Sequence, residues 1–385
     1  MNIERLPIGK FQKLETPFYY YDMGLLKYTL EKIKAETLNR DFFVHYALKA
    51  NANPVLLRQI AECGFGADCV SGNEITRAID SGFDPSKIVF AGVGKTDKEI
   101  KIGLENDIYC FNVESLPEME AIANLATTCG KTASIALRVN PNVDANTHKY
   151  ITTGLEENKF GLNESDLPEA LEMVEKYDSL KLIGLHFHIG SQITDLSSFK
   201  VLSKRIIEIR DWFTQKGVLF EMINVGGGLG IDYCNPDENP IANFEGYFDL
   251  FAKHLTLEND QTLHFELGRS VVAACGSLIS RVTYVKEGTA KKFLILDAGM
   301  TELIRPALYQ AYHKIENLSS NLSTEKYDVV GPVCESSDTF GEDVLLAGSK
   351  RGDLIAIRSA GAYGETMSST YNCRSLPEKY YSDRL

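Results

Sequence analysis

Eight short strand-like runs alternate with helical segments between residues 42 and 269, and this rhythm limits the possible folds more than any other feature. The runs are FFVHYALKA (42–50), FGADCVS (65–71), KIVFAG (87–92), IYCFNV (108–113), SIALRVNP (134–141), LIGLHFHIG (182–190), MINVGGG (222–228) and LHFELGR (263–269). Segments between them, such as PVLLRQIAECG and SFKVLSKRIIEIRDWFTQKG, have the apolar spacing of helices. Eight strands over about 230 residues predict an α/β fold of the (β/α)8 TIM-barrel type, which usually takes about 250 residues. A doubly wound open sheet has the same periodicity and is the structural alternative.

After residue 270 the pattern changes to β-like runs with few helical segments between them. These runs are SLISRVTYVKEG (277–288), KKFLILDAG (291–299), YDVVGPVC (327–334), DVLLAG (343–348) and DLIAIRSAG (353–361). They predict a mostly-β C-terminal domain. The N-terminal run PFYYYD (17–22) is also strand-like and fits either domain.

Composition narrows the class of protein. The chain has 385 residues, 44% of them hydrophobic, which excludes a mainly disordered protein. Its net charge of −13 repels polyanions, so neither a nucleic acid nor an anionic membrane is an expected partner. No N-terminal apolar segment and no apolar run of about 18–20 residues is present in the sequence, so we expect no signal peptide and no membrane span. Eight scattered cysteines without a C-x-x-C pair favour free thiols, and we expect a soluble cytoplasmic protein.

Polar residues follow the predicted strands, at the positions where a barrel carries its active site. In chain order they are Lys49, Asp68, Ser71, Asn112, Arg138, His188, Ser191, Gly226, Gly227, Gly228, Glu266, Gly268 and Arg269. The carboxyl ends of barrel strands share one face, so we expect these residues to lie close together.

Glycines follow the last two strands, where barrel enzymes often bind phosphate. Gly226–Gly228 allow backbone amides to approach an anion without a Cβ in the way. Such a run is equally a simple turn when it stands alone. Together with Gly268 and Arg269 at the next strand end, it favours a phosphate site.

Lys49 ends an apolar strand, in HYALKAN, and can either reach outward to solvent or bind a carbonyl covalently. A phosphate site and an inward lysine together predict pyridoxal 5′-phosphate as cofactor. Glu266 is the candidate partner of the pyridine nitrogen, although an ion pair with Arg269 is an alternative. His188 is the candidate to cover the ring, although a buried structural histidine is an alternative.

The motifs YALKAN, HFHIGSQ, GGGLG, ELGRS, DAGMTELIRPALY, GPVCESSDTF and AGAYG occur in an order that resembles the fold-type III pyridoxal-phosphate decarboxylases. The resemblance covers residues from about 15 to about 375. HKYITTGLEENKFGL and IRPALYQAYH resemble the branch that converts meso-diaminopimelate to L-lysine, rather than the ornithine or arginine branches. One departure is Leu267, where the family commonly has proline, which loosens the backbone at this loop.

The resemblance implies an architecture and a set of functional residues. It implies a barrel over 26–272, a β domain over 273–385 together with 1–25, and a homodimer with active sites at its interface. Lys49 is implied to hold the cofactor, His188 to stack on its ring and Glu266 to meet its pyridine nitrogen. The remaining implied cofactor-binding residues are Asp68, Arg138, Ser191, Gly226, Gly227, Gly228, Gly268, Arg269 and Tyr363.

The resemblance also implies how substrate is bound. The substrate carboxylate is expected to meet Arg269, Arg305 and Tyr309, with Tyr363 nearby. Cys334, the expected proton donor, and Glu335, the expected partner of the distal ammonium, are implied to come from the partner subunit. We also expect the loop 147–161 to act as a lid.

Three other functions compete with this interpretation. Decarboxylases of the same family that act on ornithine, arginine or carboxynorspermidine differ at Arg305, Tyr309 and Glu335. A racemase of the same barrel family is expected to place arginine at the pyridine nitrogen, and Glu266 argues against it. A non-catalytic cofactor-binding or regulatory homologue tends to lose the lysine or the proton donor, and both Lys49 and Cys334 are present.

Overall fold

The computed structural model describes residues 6–143, 159–258 and 260–385. Contacts divide the chain into two units. The barrel unit comprises Leu30–Gly230 and Asn243–Gly268, and the β unit comprises Met1–Thr29, Ile231–Ala242 and Arg269–Leu385. This grouping places Ile231–Ala242 with the β unit, and the domain bounds expected from the sequence, 26–272 and 273–385 with 1–25, stay a prediction.

The described residues form the following strands and helices. The strands are β1 (Phe18–Tyr21), β2 (Phe42–Ala47), β3 (Gly66–Cys69), β4 (Ile88–Phe90), β5 (Cys110–Val113), β6 (Ala133–Arg138), β7 (Leu180–His186), β8 (Met222–Asn224), β9 (Thr262–Leu267), β10 (Gly276–Glu287), β11 (Lys292–Leu296), β12 (Ile315–Asn317), β13 (Thr324–Val330), β14 (Thr339–Ala347), β15 (Leu354–Ile357) and β16 (Glu378–Tyr381). The helices are α1 (Ile8–Phe11), α2 (Met23–Thr37), α3 (Pro54–Glu62), α4 (Gly72–Asp80), α5 (Asp97–Glu105), α6 (Leu116–Cys129), α7 (Leu167–Lys176), α8 (Ser197–Thr214), α9 (Phe244–His254), α10 (Arg269–Val272) and α11 (Arg305–Tyr309).

Strands β2 to β9 form a closed parallel barrel in chain order. Each coincides with one of the eight predicted runs, so the predicted barrel is confirmed and the open-sheet alternative is wrong. The ring closes between β2 and β9, where His45 lies opposite Glu266. A buried cluster on β4 to β8 fills the interior; its members are Val89, Cys110, Ala136, Ile183 and Met222.

Local sequence signals set the ends of the barrel helices. The side chain of Asn53 accepts a hydrogen bond from the backbone of α3, and that of Ser71 does the same for α4. Thr96 and Glu99 form a reciprocal capping box at α5. Gly130 ends α6 in the left-handed conformation, which glycine adopts at little cost. These caps fix where each helix begins and ends, and therefore the length of each loop at the strand ends.

The β unit contains an eight-stranded sheet, in which six strands follow the order β12-β15-β10-β11-β13-β14 and β1 and β16 lie off this path. Strand β1 runs antiparallel to β10 and parallel to β16, so the N-terminal run, which fitted either domain, belongs to this sheet. Its hydrophobic cluster includes the buried residues Phe11, Phe18, Tyr20, Ile279 and Leu354. The predicted mostly-β second domain is confirmed, and the sequence analysis missed two of its strands, β12 and β16.

Two further expectations concern the whole chain. Among the described residues, no helix combines the length and apolar character needed to cross a membrane. All eight cysteines lie in described segments, and each is a free thiol. The expected absence of disulfides therefore holds for this structure.

Candidate active site

Lys49 lies at the carboxyl end of β2, in a short 3-10 helix over Leu48–Ala50. Its Nζ donates a hydrogen bond to Oδ2 of Asp68, on β3, at 2.7 Å. The lysine side chain is 39% exposed, whereas the carboxylate is fully buried. Burial and the negative charge of Glu266 raise the pKa of Asp68 to about 7, although Lys49 opposes this shift. A buried carboxylate therefore holds the lysine amine in place while leaving the amine accessible.

Glu266, on β9, is held by three side chains from other barrel strands: Asn112 on β5, His186 on β7 and Asn224 on β8. Its Oε1 accepts hydrogen bonds from Nδ2 of Asn112 at 2.9 Å and from Nδ2 of Asn224 at 2.8 Å. Its Oε2 lies 3.0 Å from Nε2 of His186. Burial opposes ionisation, but His186 and the charge of Lys49 outweigh it and hold the pKa of Glu266 below its ordinary range. This carboxylate stays negative in a buried setting, as a partner for a protonated ring nitrogen must.

His188 follows β7 and is neutral. Its Nδ1 accepts a hydrogen bond from the backbone N–H of Gly227 at 3.2 Å, so the ring carries its hydrogen on Nε2. Burial, together with the positive charges of Arg138 and Lys49, lowers the pKa of His188 to about 3. A neutral planar ring is suited to stacking against another ring.

The glycine run after β8 packs so closely that side chains are excluded. A Cβ on Gly227 would overlap the carbonyl oxygen of Glu266, far below the 3.0 Å that such atoms keep in proteins. A Cβ on Gly228, whose φ is +105°, would lie 2.7 Å from the carbonyl oxygen of Gly190. Gly226 also has a positive φ, of 70°. These positions therefore require glycine.

Two further predicted phosphate ligands lie at the neighbouring strand ends. Gly268 directly follows β9, and a Cβ there would lie 3.0 Å from the Cβ of Ala50, next to Lys49. Ser191 lies in the loop after β7 and is half-buried. The structure thus brings the predicted lysine, histidine, glutamate and glycine positions to the carboxyl ends of the barrel strands.

Arg138, predicted to bind the cofactor, ends β6 and is paired with Glu114. Its Nη1 lies 2.8 Å from Oε1 and 3.0 Å from Oε2 of that carboxylate. Glu114 also accepts the backbone N–H groups of Gly92 at 2.8 Å and Gly161 at 3.2 Å. Arg138 and Glu114 are both buried. Glu114 therefore joins the loops after β4, β5 and β6. The sequence analysis missed this residue, although it directly follows β5.

A second cluster of functional side chains lies within the β unit. Nη1 of Arg269 and Nη1 of Arg305 both donate to the hydroxyl of Tyr233, at 2.7 and 2.8 Å. The Arg269 guanidinium also lies 5.0 Å from the ring centre of Tyr363. Both guanidiniums are buried. Within the described ranges, no carboxylate lies within 4.0 Å of the Arg305 guanidinium. Tyr309, the remaining predicted carboxylate ligand, ends α11 and is half-buried.

Cys334 and Glu335 lie in the loop after β13, and both are exposed. The backbone N–H of Cys334 donates to Oδ1 of Asn372 at 3.3 Å. Glu335 accepts a hydrogen bond from the hydroxyl of Tyr371 at 2.7 Å. Their expected contribution to a partner subunit's site stays a prediction. Most of the expected lid, 147–161, lies outside the described residues.

Known proteins similar to this chain point to one family. Residues 27–273 match the family described as "Pyridoxal-dependent decarboxylase, pyridoxal binding domain". A diaminopimelate decarboxylase from Bacteroides thetaiotaomicron is 58% identical over 380 residues, covering 98% of each chain. One from Neisseria meningitidis is 42% identical, covering 97% of this chain and 91% of the relative. The crystal structure of the Helicobacter pylori enzyme complexed with L-lysine superposes with a TM-score of 0.90 at 42% identity, covering 97% of this chain and 93% of the other.

The chain belongs to the diaminopimelate decarboxylases.

Members of this family are pyridoxal-dependent carboxy-lyases, and the residues in the barrel unit fit that cofactor. Lys49 offers an accessible amine, Glu266 a carboxylate that stays ionised, and His188 a neutral ring. The glycine run offers a backbone that admits no Cβ. Oδ1 of Asp68 is buried and has no hydrogen-bond partner among the described residues, so the site contains an acceptor that a ligand can satisfy.

Sequence reasoning missed several residues of this diaminopimelate decarboxylase that hold the predicted ones. Asn112 was singled out only as a residue at a strand end, and Asn224 and His186 were not singled out. A positional signal for Asn224 and His186 was available, since each is the last residue of its strand. Tyr233 had no such signal, because it lies in a loop outside every motif.

Proposed function

We propose that this protein removes CO₂ from the D-centre of meso-diaminopimelate and releases L-lysine, as the last step of lysine biosynthesis. The observation that carries the choice of substrate is the pair of buried guanidiniums on Tyr233. Diaminopimelate has a carboxylate at its far end, which arginine binds well. Ornithine, arginine and carboxynorspermidine end in cations, which two buried guanidiniums repel.

Pyridoxal phosphate, when bound, supplies an aldehyde for the substrate amine and a ring that withdraws the electrons left by CO₂. The chain's part is to hold these groups. Lys49 would hold the aldehyde of the cofactor, and Asp68 is placed to receive and return the proton of the lysine amine. Glu266 would favour the protonated form of the ring nitrogen, and His188 would lie against the ring without adding charge.

The proposed phosphate ligands are Ser191, Gly226, Gly227, Gly228 and Gly268, with Arg138, Arg269 and Tyr363 as further cofactor-binding residues. Backbone N–H groups suit a phosphate because they donate hydrogen bonds and do not themselves titrate. The N–H of Gly226 donates to Oδ1 of Asn224 at 2.9 Å and that of Gly227 to Nδ1 of His188 at 3.2 Å, so the N–H groups proposed to donate to the phosphate are those of Gly228 and Gly268. The close packing of the glycine run supports this assignment. Tyr309 and Tyr363 complete the proposed contacts to substrate.

We further propose that the protein works as a homodimer in the cytoplasm, with Cys334 and Glu335 acting in the partner's site. When CO₂ leaves, the Cα–carboxylate bond breaks and its electron pair stays with the substrate, so one proton must be added at Cα. The Cys334 thiol is proposed to supply it. Its exposed position and that of Glu335 support a role toward another subunit. Mixing Lys49→Ala with Cys334→Ser should restore about a quarter of wild-type activity if active sites are shared between subunits, and no recovery would contradict the shared site.

A product assay tests the function. Purified protein with pyridoxal phosphate is given meso-diaminopimelate, its LL isomer, ornithine, arginine and carboxynorspermidine separately, and CO₂ and amines are followed by mass spectrometry. Lysine from the meso isomer alone is the expected result. Lys49→Ala is the matched control and should abolish turnover. CO₂ from a cationic substrate instead would show that the carboxylate site was misassigned, and no product from any substrate would favour a non-catalytic homologue.

A further inference from the structure

The loop that carries Tyr233 is fixed within the β unit. Oδ1 of Asp232 accepts the backbone N–H groups of Cys234 at 2.8 Å and Asn235 at 3.0 Å, which forms an Asx-type turn. Asp237, later in the same loop, pairs with the guanidinium of Arg358 at 2.9 Å. The ring of Tyr233 is therefore attached to a backbone that is held by a local turn and anchored on its C-terminal side.

The hydroxyl of Tyr233 makes two hydrogen bonds, and it is the acceptor in both. Its partners are Nη1 of Arg269 and Nη1 of Arg305, and a guanidinium can only donate. A phenol has one hydrogen of its own to donate, and that hydrogen cannot point at either arginine. Within the described ranges, the structure records no other hydrogen bond of this hydroxyl. A buried O–H without an acceptor is costly, so the arrangement calls for an acceptor from outside the chain.

The neighbouring histidine does not supply this acceptor. Nδ1 of His313 lies 2.9 Å from the carbonyl oxygen of Arg358 and must donate to it. Its Nε2 is then the acceptor, and it faces Nη1 of Arg305 at 3.3 Å. Burial and the charge of Arg305 lower the pKa of His313 to about 3, so the ring stays neutral. The histidine fixes Arg305 without balancing its charge.

We infer that Tyr233 is a substrate-binding residue, which donates its phenolic hydrogen to the distal carboxylate of the substrate while orienting Arg269 and Arg305 toward the same group. The inference rests on the proposed function, because it takes its ligand from that reaction. A carboxylate offers acceptor lone pairs to the phenol and negative charge to the buried Arg305 guanidinium, so it meets both needs of the cluster. An amide or hydroxyl end would accept the hydrogen but leave the charge of Arg305 unbalanced.

Binding of the product tests the contact between Tyr233 and the distal carboxylate more directly than binding of the substrate. L-Lysine retains the distal carboxylate, whereas cadaverine is the same diamine without it. Binding of both to the cofactor-loaded enzyme is measured by isothermal titration calorimetry, for wild type, Tyr233→Phe and Tyr284→Phe. Tyr284 lies on β10 and is 58% exposed, so its variant is a matched loss of one hydroxyl.

The expected result is a selective loss of lysine binding. Tyr233→Phe should bind L-lysine about ten-fold to a hundred-fold more weakly, as for a lost hydrogen bond to a charged group. Cadaverine binding should be unchanged, and Tyr284→Phe should behave as wild type. In steady-state assays KM for meso-diaminopimelate should rise while kcat changes little, because the contact exists equally in ground and transition states.

Three results would overturn the inference. Unchanged lysine binding would show that the hydroxyl does not contact the carboxylate. Tighter lysine binding would show that Tyr233 is ionised and competes with the carboxylate for the arginines. An equal loss for lysine and cadaverine would indicate a structural role only. Failure of the proposed function looks different, because wild-type enzyme would then form no lysine from meso-diaminopimelate.

Discussion

Replacing Glu114 by alanine should destabilise the barrel unit far more than removing an exposed carboxylate. The change would leave the buried Arg138 guanidinium without its partner. Breaking a buried ion pair by removing one member costs about 3–5 kcal/mol. The backbone N–H groups of Gly92 and Gly161 would lose their acceptor as well, at about 1–3 kcal/mol each if they stayed dry.

These contributions are not additive, because one cavity holds all three donors and water can enter it. We therefore expect a loss of about 5 kcal/mol in the free energy of unfolding, near the lower end of the combined range. The matched control is Glu164→Ala, which removes an ion pair with Arg205 on the surface. An exposed pair of this kind is worth about 0–1 kcal/mol.

Urea unfolding of the cofactor-loaded enzyme, followed by fluorescence and circular dichroism, measures both variants. The double variant Glu114→Ala/Arg138→Leu should recover several kcal/mol relative to Glu114→Ala, because it removes the uncompensated charge. If the free energies of unfolding of Glu114→Ala and Glu164→Ala differ by less than about 1 kcal/mol, the buried ion pair does not stabilise the protein as we expect.

Two other predictions concern the barrel. Gly227→Ala should lower cofactor affinity and reduce kcat by about a hundred-fold, because the new Cβ must displace the backbone of Glu266 by about 1 Å. Gly94→Ala is the control, because a Cβ there meets nothing within 4 Å. Its cofactor affinity, measured by spectroscopic titration with the cofactor, and its kcat should match those of wild type. Stability should also fall as the pH drops below about 6.5, because burial lowers the pKa of both His45 and His264 and the unfolded chain binds protons first. The free energy of unfolding should fall by about 1.4 kcal/mol per pH unit for each histidine. Urea unfolding of His264→Phe between pH 5 and 8 should show a dependence on pH that is shallower by that amount.

The barrel was predictable because its strands are buried on both faces and therefore read as continuous apolar runs. The two strands that the sequence analysis missed lack this signal. Strand β12 is three residues long and contains Glu316, and β16 is the polar segment EKYY. Each forms by pairing with a strand distant in sequence, which no local pattern reports.

The same distinction separates the site residues that were predicted from those that were not. Lys49 and Glu266 stand at strand ends, where the barrel geometry itself indicates function. Glu114 also follows a strand, but its segment VESLPEMEA has the apolar spacing of a helix, which hides its position at a strand end. The role of Tyr233 depends on arginines 36 and 72 residues further along the chain, so only the folded structure brings its partners together.

Leu267 illustrates how structure can replace a local restraint. The sequence raised the prospect of a looser loop, because leucine leaves φ free where proline fixes it. In the structure β9 extends to this residue, which pairs with Tyr46 on β2. Ladder pairing thus provides the restraint on the segment between Glu266 and Gly268.

The pairing of β1 with β16 determines when the β unit can be completed during synthesis. Strand β1 is made before the barrel strands, yet one of its two neighbours, β16, is made after all of them. The eight barrel strands end at Leu267, so the barrel can close before β16 is made, while one edge of β1 is still unpaired. A chain cut after β15 would keep every barrel strand but leave the sheet without β16. The exposed edge of β1 in such a product would promote aggregation. The incompletely folded chain would also be a substrate for quality-control proteases.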